Sequence, residues 1–153
     1  MATSTTSTNA LPGFIVDRQS IEQRQGRQVA WDLVSETYID ATTGKKRLKA
    51  GTVVSEFLTG DFAGKIAEYG AVDADQSPDE TATALGLLIS EANEDDPAEA
   101  LTGYGILVGG VIFDNLLPDA TGSPLSIGST KKTALSTAGC TFKWEMYVDS
   151  RAD

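Results

Sequence analysis

Short alternations of apolar and polar residues, separated by turn residues, run along most of the chain. Residues 52–58 (TVVSEFL) form a run rich in β-branched side chains, which predicts a strand. Residues 85–89 (LGLLI) are apolar throughout and predict a central strand. In residues 140–148 (CTFKWEMYV), Cys140, Phe142, Trp144 and Met146 alternate with Thr141, Lys143, Glu145 and Tyr147, which predicts a last strand.

The most apolar stretch is GYGILVGGVIFDNLLP, residues 103–118. Its four glycines within eight residues argue against a helix, because each glycine destabilises a helix by about 1 kcal/mol relative to alanine. The Gly109-Gly110 pair can form a tight primed turn. We therefore expect a hairpin, with strands at 104–108 and 111–115.

Residues 129–139 (STKKTALSTAG) predict the clearest helix, with Ser129 as its N-cap and Gly139 just past its end. Alternation of Val29, Trp31 and Leu33 suggests another strand, and residues 125–127 a short one. The predicted fold is mainly β with one or two short helices, in a small domain resembling a β-barrel or β-sandwich.

Three segments follow from these patterns. Residues 1–13 (MATSTTSTNALPG) are small and polar, so we expect an N-terminal arm that is disordered when free. Its threonines favour extended structure where a partner offers a sheet edge. Residues 14–49 form an N-terminal extension of ambiguous structure, and residues 50–153 a β-rich core.

Charge is distributed unevenly along the 153 residues, whose net charge is −10. Residues 1–50 hold seven Lys/Arg and five Asp/Glu, whereas residues 51–110 hold one Lys/Arg and twelve Asp/Glu. Such an acidic protein repels nucleic acid phosphates and anionic membranes, so neither is an expected partner. No secretion signal precedes the first apolar residues, which predicts a protein made in the cytosol.

Candidate chemistry is sparse. The sequence contains no histidine, which excludes Ser-His-Asp and Cys-His catalysis. GDFAGKI (60–66) is one residue too short for a phosphate loop, and GYGILVG (103–109) lacks the third glycine of a dinucleotide site. An EF-hand beginning at Asp73 would have Pro78 and Ala84 where glycine and glutamate are needed. The lone Cys140 is interpreted as a small core residue. We expect no enzymatic activity, no cofactor and no metal.

The order of the elements resembles that of the lambda-like bacteriophage head decoration proteins. The matching positions are residues 50–53 (AGTV), a strand with 86–88 (GLL), a hairpin with glycine at its turn at 110–111 (GV), and a helix at 130–138 before a last strand. The resemblance covers roughly the last two-thirds of the chain. It implies a homotrimer on the outer surface of an expanded phage head that cements neighbouring major capsid subunits, with an arm that becomes ordered on binding.

The resemblance and the charge pattern suggest two capsid-contacting groups. The first is the arm and its root, and the second is a basic cluster, for which a solvated hairpin tip is the alternative. The residues are Thr3, Thr5, Thr6, Thr8, Leu11, Phe14, Ile15 and Val16 in the first, and Lys45, Lys46, Arg47 and Lys49 in the second.

Two other functions stay open. One is a β-rich ligand-binding module whose acidic loops at 73–80 and 94–99 bind calcium. The other is a different virion component, such as a tail or fibre protein, which would share this composition.

Overall fold

The computed structural model describes residues 12–17, 21–96, 103–119 and 126–148. It contains one α-helix, α1 (Gly128–Thr137), and 3₁₀ turns at Trp31–Leu33, Glu36–Tyr38 and Asp114–Leu116. The strands are β1 (Glu22–Arg27), β2 (Arg47–Leu48), β3 (Val53–Glu56), β4 (Ile66–Glu68), β5 (Val72–Asp73), β6 (Glu80–Thr81), β7 (Thr83–Leu88), β8 (Ala92–Asn93), β9 (Tyr104–Phe113) and β10 (Thr141–Glu145).

Six strands form the main sheet, in the order β1-β9-β7-β3-β4, with β10 also paired to β9. β10 runs parallel to β9, and the other pairs of this sheet are antiparallel. Two small ribbons, β2-β8 and β5-β6, complete the architecture. The prediction of a mainly β domain is confirmed, and the sheet is open instead of closed into a barrel.

The predicted hairpin at Gly109-Gly110 is wrong, because β9 continues straight through both glycines. Gly109 is opposite Glu22 of β1 and Thr141 of β10, so strands pair with it on two sides. A Cβ on Gly109 would lie 2.5 Å from the Thr141 hydroxyl oxygen. Gly110 has a φ of 137°, which side chains rarely allow. The glycines therefore serve close strand approach, not chain reversal.

Helix α1 confirms the predicted helix, with one correction at its start. The helix begins at Gly128, and no side chain caps it, so Ser129 is not the N-cap. Its end matches the prediction: Gly139 has a φ of 95°. The Gly139 N–H donates to the Ser136 carbonyl and the Cys140 N–H to the Leu135 carbonyl, the bonding pattern of a Schellman motif.

The strand suggested by Val29, Trp31 and Leu33 is also wrong. Residues 31–33 form a 3₁₀ turn, and only Val29 makes a β-bridge, to Ile66. Because the 3₁₀ turn ends the extended backbone after residue 30, the alternation does not mark one face of a strand. Residue 125 lies outside the described residues, and residues 126 and 127 are not in a strand.

Two hydrophobic clusters pack against the main sheet. One is built around Phe57, Leu88 and Ile106, and the other around Leu87, Leu107 and Leu135. Residues from the 14–49 segment belong to both: Val29, Ala30, Val34 and Leu48 to the first, Phe14 and Ile15 to the second. No helix of the described residues is long and apolar enough to cross a membrane.

Candidate functional site

The root of the N-terminal arm, residues 12–17, is fixed to the end of β9. The Val16 N–H donates to the Val111 carbonyl at 2.9 Å, and the Phe113 N–H donates to the Phe14 carbonyl at 2.7 Å. Phe14 is only 4% exposed. The root therefore behaves as a short strand of the body, and the arm begins from an anchored position.

An open groove lies beside this root. Its volume is about 510 Å³, and it is lined by Pro12, Gly13, Phe14, Lys49, Ala50, Glu91, Leu116 and Pro118. We call it the arm-root groove. It brings Phe14 and Lys49, one residue from each predicted contact group, to the same surface.

The basic cluster begins at the end of a hairpin that spans Asp40 to Lys45 and continues through β2 to Lys49. The Asp40 N–H donates to the Lys45 carbonyl and the Gly44 N–H to the Asp40 carbonyl, both at 2.8 Å. Gly44 takes a φ of 71°, the left-handed conformation that glycine adopts without strain. Lys45 is exposed at the end of this hairpin.

The other three basic residues of the cluster have partners within the chain. Arg47 pairs with Asp40 at 3.1 Å and with Glu91 at 3.4 Å, and Lys49 pairs with Glu91 at 2.9 Å. Lys46 donates its Nζ proton to the Trp31 carbonyl at 2.8 Å. Among the described residues, neither Lys45 nor Lys46 forms an ion pair with a carboxylate, and Lys45 is the exposed one of the two.

A second concavity, of about 340 Å³, lies next to the arm-root groove and shares Lys49 with it. Tyr38 lines it, and burial together with the nearby negative charge of Glu68 and Asp119 raises the pKa of Tyr38 to about 12. Burial also raises the pKa of Glu68, although two hydrogen bonds from the Ser35 N–H and the charge of Lys46 oppose the shift. The phenol stays neutral at physiological pH and can only exchange hydrogen bonds there.

The acidic loop at 73–80 does not gather its carboxylates. Asp73 is buried and accepts the Asp75 N–H at 3.1 Å. The Glu80 carboxylate faces the opposite turn, where it accepts N–H groups of Leu58 and Thr59 at 2.6 and 3.0 Å. Within the described ranges, no three carboxylate or thiol side chains converge on a point that could hold a metal ion. Glu99 of the second acidic loop lies outside those ranges.

The predicted contact residues fall into three groups. Thr3, Thr5, Thr6, Thr8 and Leu11 lie outside the described residues. Phe14 and Ile15 are buried in the chain's own core, and Val16 is 38% exposed. Tyr38 in the second concavity and Pro118 in the arm-root groove gave no sequence signal, because only the folded chain brings them near Lys49. No family model, no curated protein and no solved structure matches this chain.

Proposed function

We propose that this chain is a structural virion protein, which binds the outer surface of an expanded phage head as a homotrimer. There it cements neighbouring major capsid subunits, and it makes and breaks no covalent bond. Its place is the outer face of the virion, after synthesis in the host cytosol. The proposal builds on the order of sequence elements and on the mainly β body described above.

The observation that carries the proposal is the anchored arm root. A protein that cements other subunits must transmit force from its contact segment to its folded body. Tension on residues 1–11 would pull along the root, where the Val16–Val111 and Phe14–Phe113 hydrogen bonds and the buried Phe14 ring resist it together. Several bonds that share tension resist separation better than bonds that break one at a time.

Local charge supports an approach by this face. Lys45 is exposed at the end of the hairpin at 40–45, and half of the chain's 22 Asp and Glu residues lie in residues 51–96. A capsid surface with a negative patch would be attracted to this face and repelled by the acidic region, which sets the orientation of docking. The Thr-rich arm could then add a strand to a capsid sheet edge through main-chain hydrogen bonds.

The test is co-sedimentation of the purified protein with expanded, undecorated heads. Deletion of residues 2–11 leaves the described root intact and is expected to abolish or strongly reduce binding. Lys45→Glu is expected to weaken binding, most at low salt, because exposed charges act over about 10 Å at 0.1 M salt. Lys65→Glu makes the same charge change at a residue that does not line the arm-root groove, and it serves as the matched control.

Two outcomes would contradict the proposal. One is a wild-type protein that stays in the supernatant at every concentration. The other is equal binding by wild type and the deletion variant, together with equal binding by Lys45→Glu and Lys65→Glu. Melting curves of all variants establish that each one is folded.

A further inference from the structure

Three consecutive large apolar side chains are exposed just after β10. Met146 is 64% exposed, Tyr147 39% and Val148 78%. We call these three residues the C-terminal apolar patch. Exposed apolar residues are ordinary when they are scattered singly, but a contiguous group commonly marks a contact surface.

The C-terminal apolar patch is held in place. The Asn115 side chain accepts the Tyr147 N–H at 2.7 Å and donates to the Tyr147 carbonyl at 2.9 Å. The Tyr147 ring packs edge-on against Phe113, with 5.4 Å between ring centroids. Asn115 thus replaces a strand partner, and less conformational entropy remains to be lost when the patch is covered.

The edge of β10 adds backbone groups to this surface. β10 pairs with β9 in a regular register without a shift, and in the described part of the chain it has no strand on its other side. The edge strand β4 differs, because residues 28–30 cover it through the Ala30 N–H and the Gln28 carbonyl. An uncovered, regular edge is a template for association.

A second surface of the same chain has matching chemistry. Leu58 is 61% exposed and Val72 41%, and both adjoin β6: Leu58 is hydrogen-bonded to Glu80, and Val72 pairs with Thr81. Exposed Asp75 and Asp79 lie in the loop between β5 and β6. We call Leu58, Val72, Asp75 and Asp79 the acidic apolar patch.

Charge favours contact between these two surfaces over contact of either with itself. Residues 126–148 hold three lysines and one glutamate, whereas residues 51–96 hold one lysine and eleven carboxylates. Two copies of this acidic chain repel one another except where a positive region meets a negative one. Lys143, exposed on β10, is the lysine nearest in sequence to the C-terminal apolar patch.

We propose that the C-terminal apolar patch of one copy binds the acidic apolar patch of a second copy. The contact is head-to-tail, because two different surfaces of the chain meet, and a head-to-tail contact forms a ring such as a trimer when the rotation between copies closes. The inference adds a contact surface to the homotrimer of the proposed function and rests on that function only for the number of copies.

The experiment measures solution mass by light scattering after size-exclusion chromatography, over a range of protein concentrations. Met146→Glu and Leu58→Glu each damage one of the two surfaces, and each is expected to weaken association at least about tenfold. Ile39→Glu is the matched control, because Ile39 is 42% exposed and directly precedes the hairpin at 40–45, away from β6 and β10 in the sequence. It is expected to leave the mass unchanged.

Mixing the two damaged variants separates a head-to-tail contact from a symmetric one. Each variant keeps one intact surface, so an equimolar mixture of Met146→Glu and Leu58→Glu is expected to form a dimer that neither forms alone. A charge exchange gives a second line of evidence: Lys143→Glu weakens association, and adding Asp79→Lys restores part of it.

A wild type that is monomeric at all concentrations would overturn the inference. So would unchanged association in Met146→Glu, or a mixture that behaves as its separate components. Head binding is measured separately. A monomer that still binds heads refutes this inference and the trimeric state but leaves head binding standing, and a ring that ignores heads refutes the proposed function alone.

Discussion

Replacing Asp114 tests how the fold joins β9 to helix α1. Asp114 is 4% exposed and accepts three hydrogen bonds: from Lys132 Nζ at 2.7 Å, from the Ser126 hydroxyl at 2.7 Å and from the Ile127 N–H at 3.2 Å. Lys132 Nζ also lies 5.2 Å from the Trp144 ring centroid. One carboxylate therefore fixes the start of the helix and, through Lys132, contacts β10.

Asp114→Asn keeps the side-chain size but removes the charge that Lys132 and Ser126 bind. Hydrogen bonds to a charged group contribute about 1.5–3 kcal/mol each, and part of each bond survives to the amide. We expect a loss of about 2–4 kcal/mol in the free energy of unfolding. For a chain of this size, this corresponds to a decrease of about 4–16 °C in Tm.

The pH dependence has a defined sign. Burial alone would raise the pKa of Asp114, but the hydrogen bonds from Lys132, Ser126 and the Ile127 N–H outweigh it and hold the pKa below its ordinary value. The stabilisation is therefore fully present above about pH 4, the unfolded pKa, and is lost as the pH falls through the lower folded value. Asp114→Asn should lack this part of the acid dependence.

The assay is urea unfolding, followed by circular dichroism and tryptophan fluorescence at one fixed protein concentration, because self-association shifts the midpoint. Asp61→Asn, at an exposed turn, is the matched control and should stay within about 0.5 kcal/mol of wild type. A double-mutant cycle with Lys132→Met should give a coupling of at least about 1 kcal/mol. An Asp114→Asn protein as stable as Asp61→Asn, or a coupling near zero, would refute the interpretation.

Three further substitutions have defined outcomes. A Cβ on Gly86 would clash with the Leu107 carbonyl oxygen of the neighbouring strand, so Gly86→Ala should cost about 1–3 kcal/mol by urea unfolding; neutral behaviour would contradict this packing. Burial raises the pKa of Glu68, so the free energy of unfolding of the wild type should fall as the pH rises from the ordinary pKa of 4.5 towards the higher pKa of the folded state. Glu68→Gln, which can still accept the Ser35 N–H, should flatten that fall. Parallel stability curves for the two proteins would contradict this. Gly139→Ala should cost about 1 kcal/mol because the Schellman motif holds φ at 95°, and a gain in Tm would show that the helix ends differently.

The elements that the sequence predicts correctly are those whose burial produces a recognisable pattern of apolar residues along the chain. β3 and β7 lie in the middle of the sheet and are almost wholly buried, and their sequences (VVSE and TALGLL) are rich in apolar residues. Phe142 and Trp144 alternate with exposed residues along β10. Gly139 was recognisable because helix termination imposes a local conformational demand that glycine meets.

The elements that were missed depend on residues far away in sequence. β1 (EQRQGR) is polar and mostly exposed, and it becomes a strand because β9 offers a free edge. Gly109-Gly110 has the composition of a turn, and only the approach of β1 and β10 from distant parts of the chain shows that close packing is the reason for the glycines. The arm-root groove likewise exists only after folding brings Lys49 beside Phe14.

The central claim is that this chain stabilises a shell made of other subunits. The direct measurement is calorimetry of expanded, undecorated phage heads, with and without saturating protein, because a ligand that binds the intact shell raises its melting temperature. The account predicts a higher melting temperature that depends on residues 2–11. Heads that melt at the same temperature with and without the protein would contradict it.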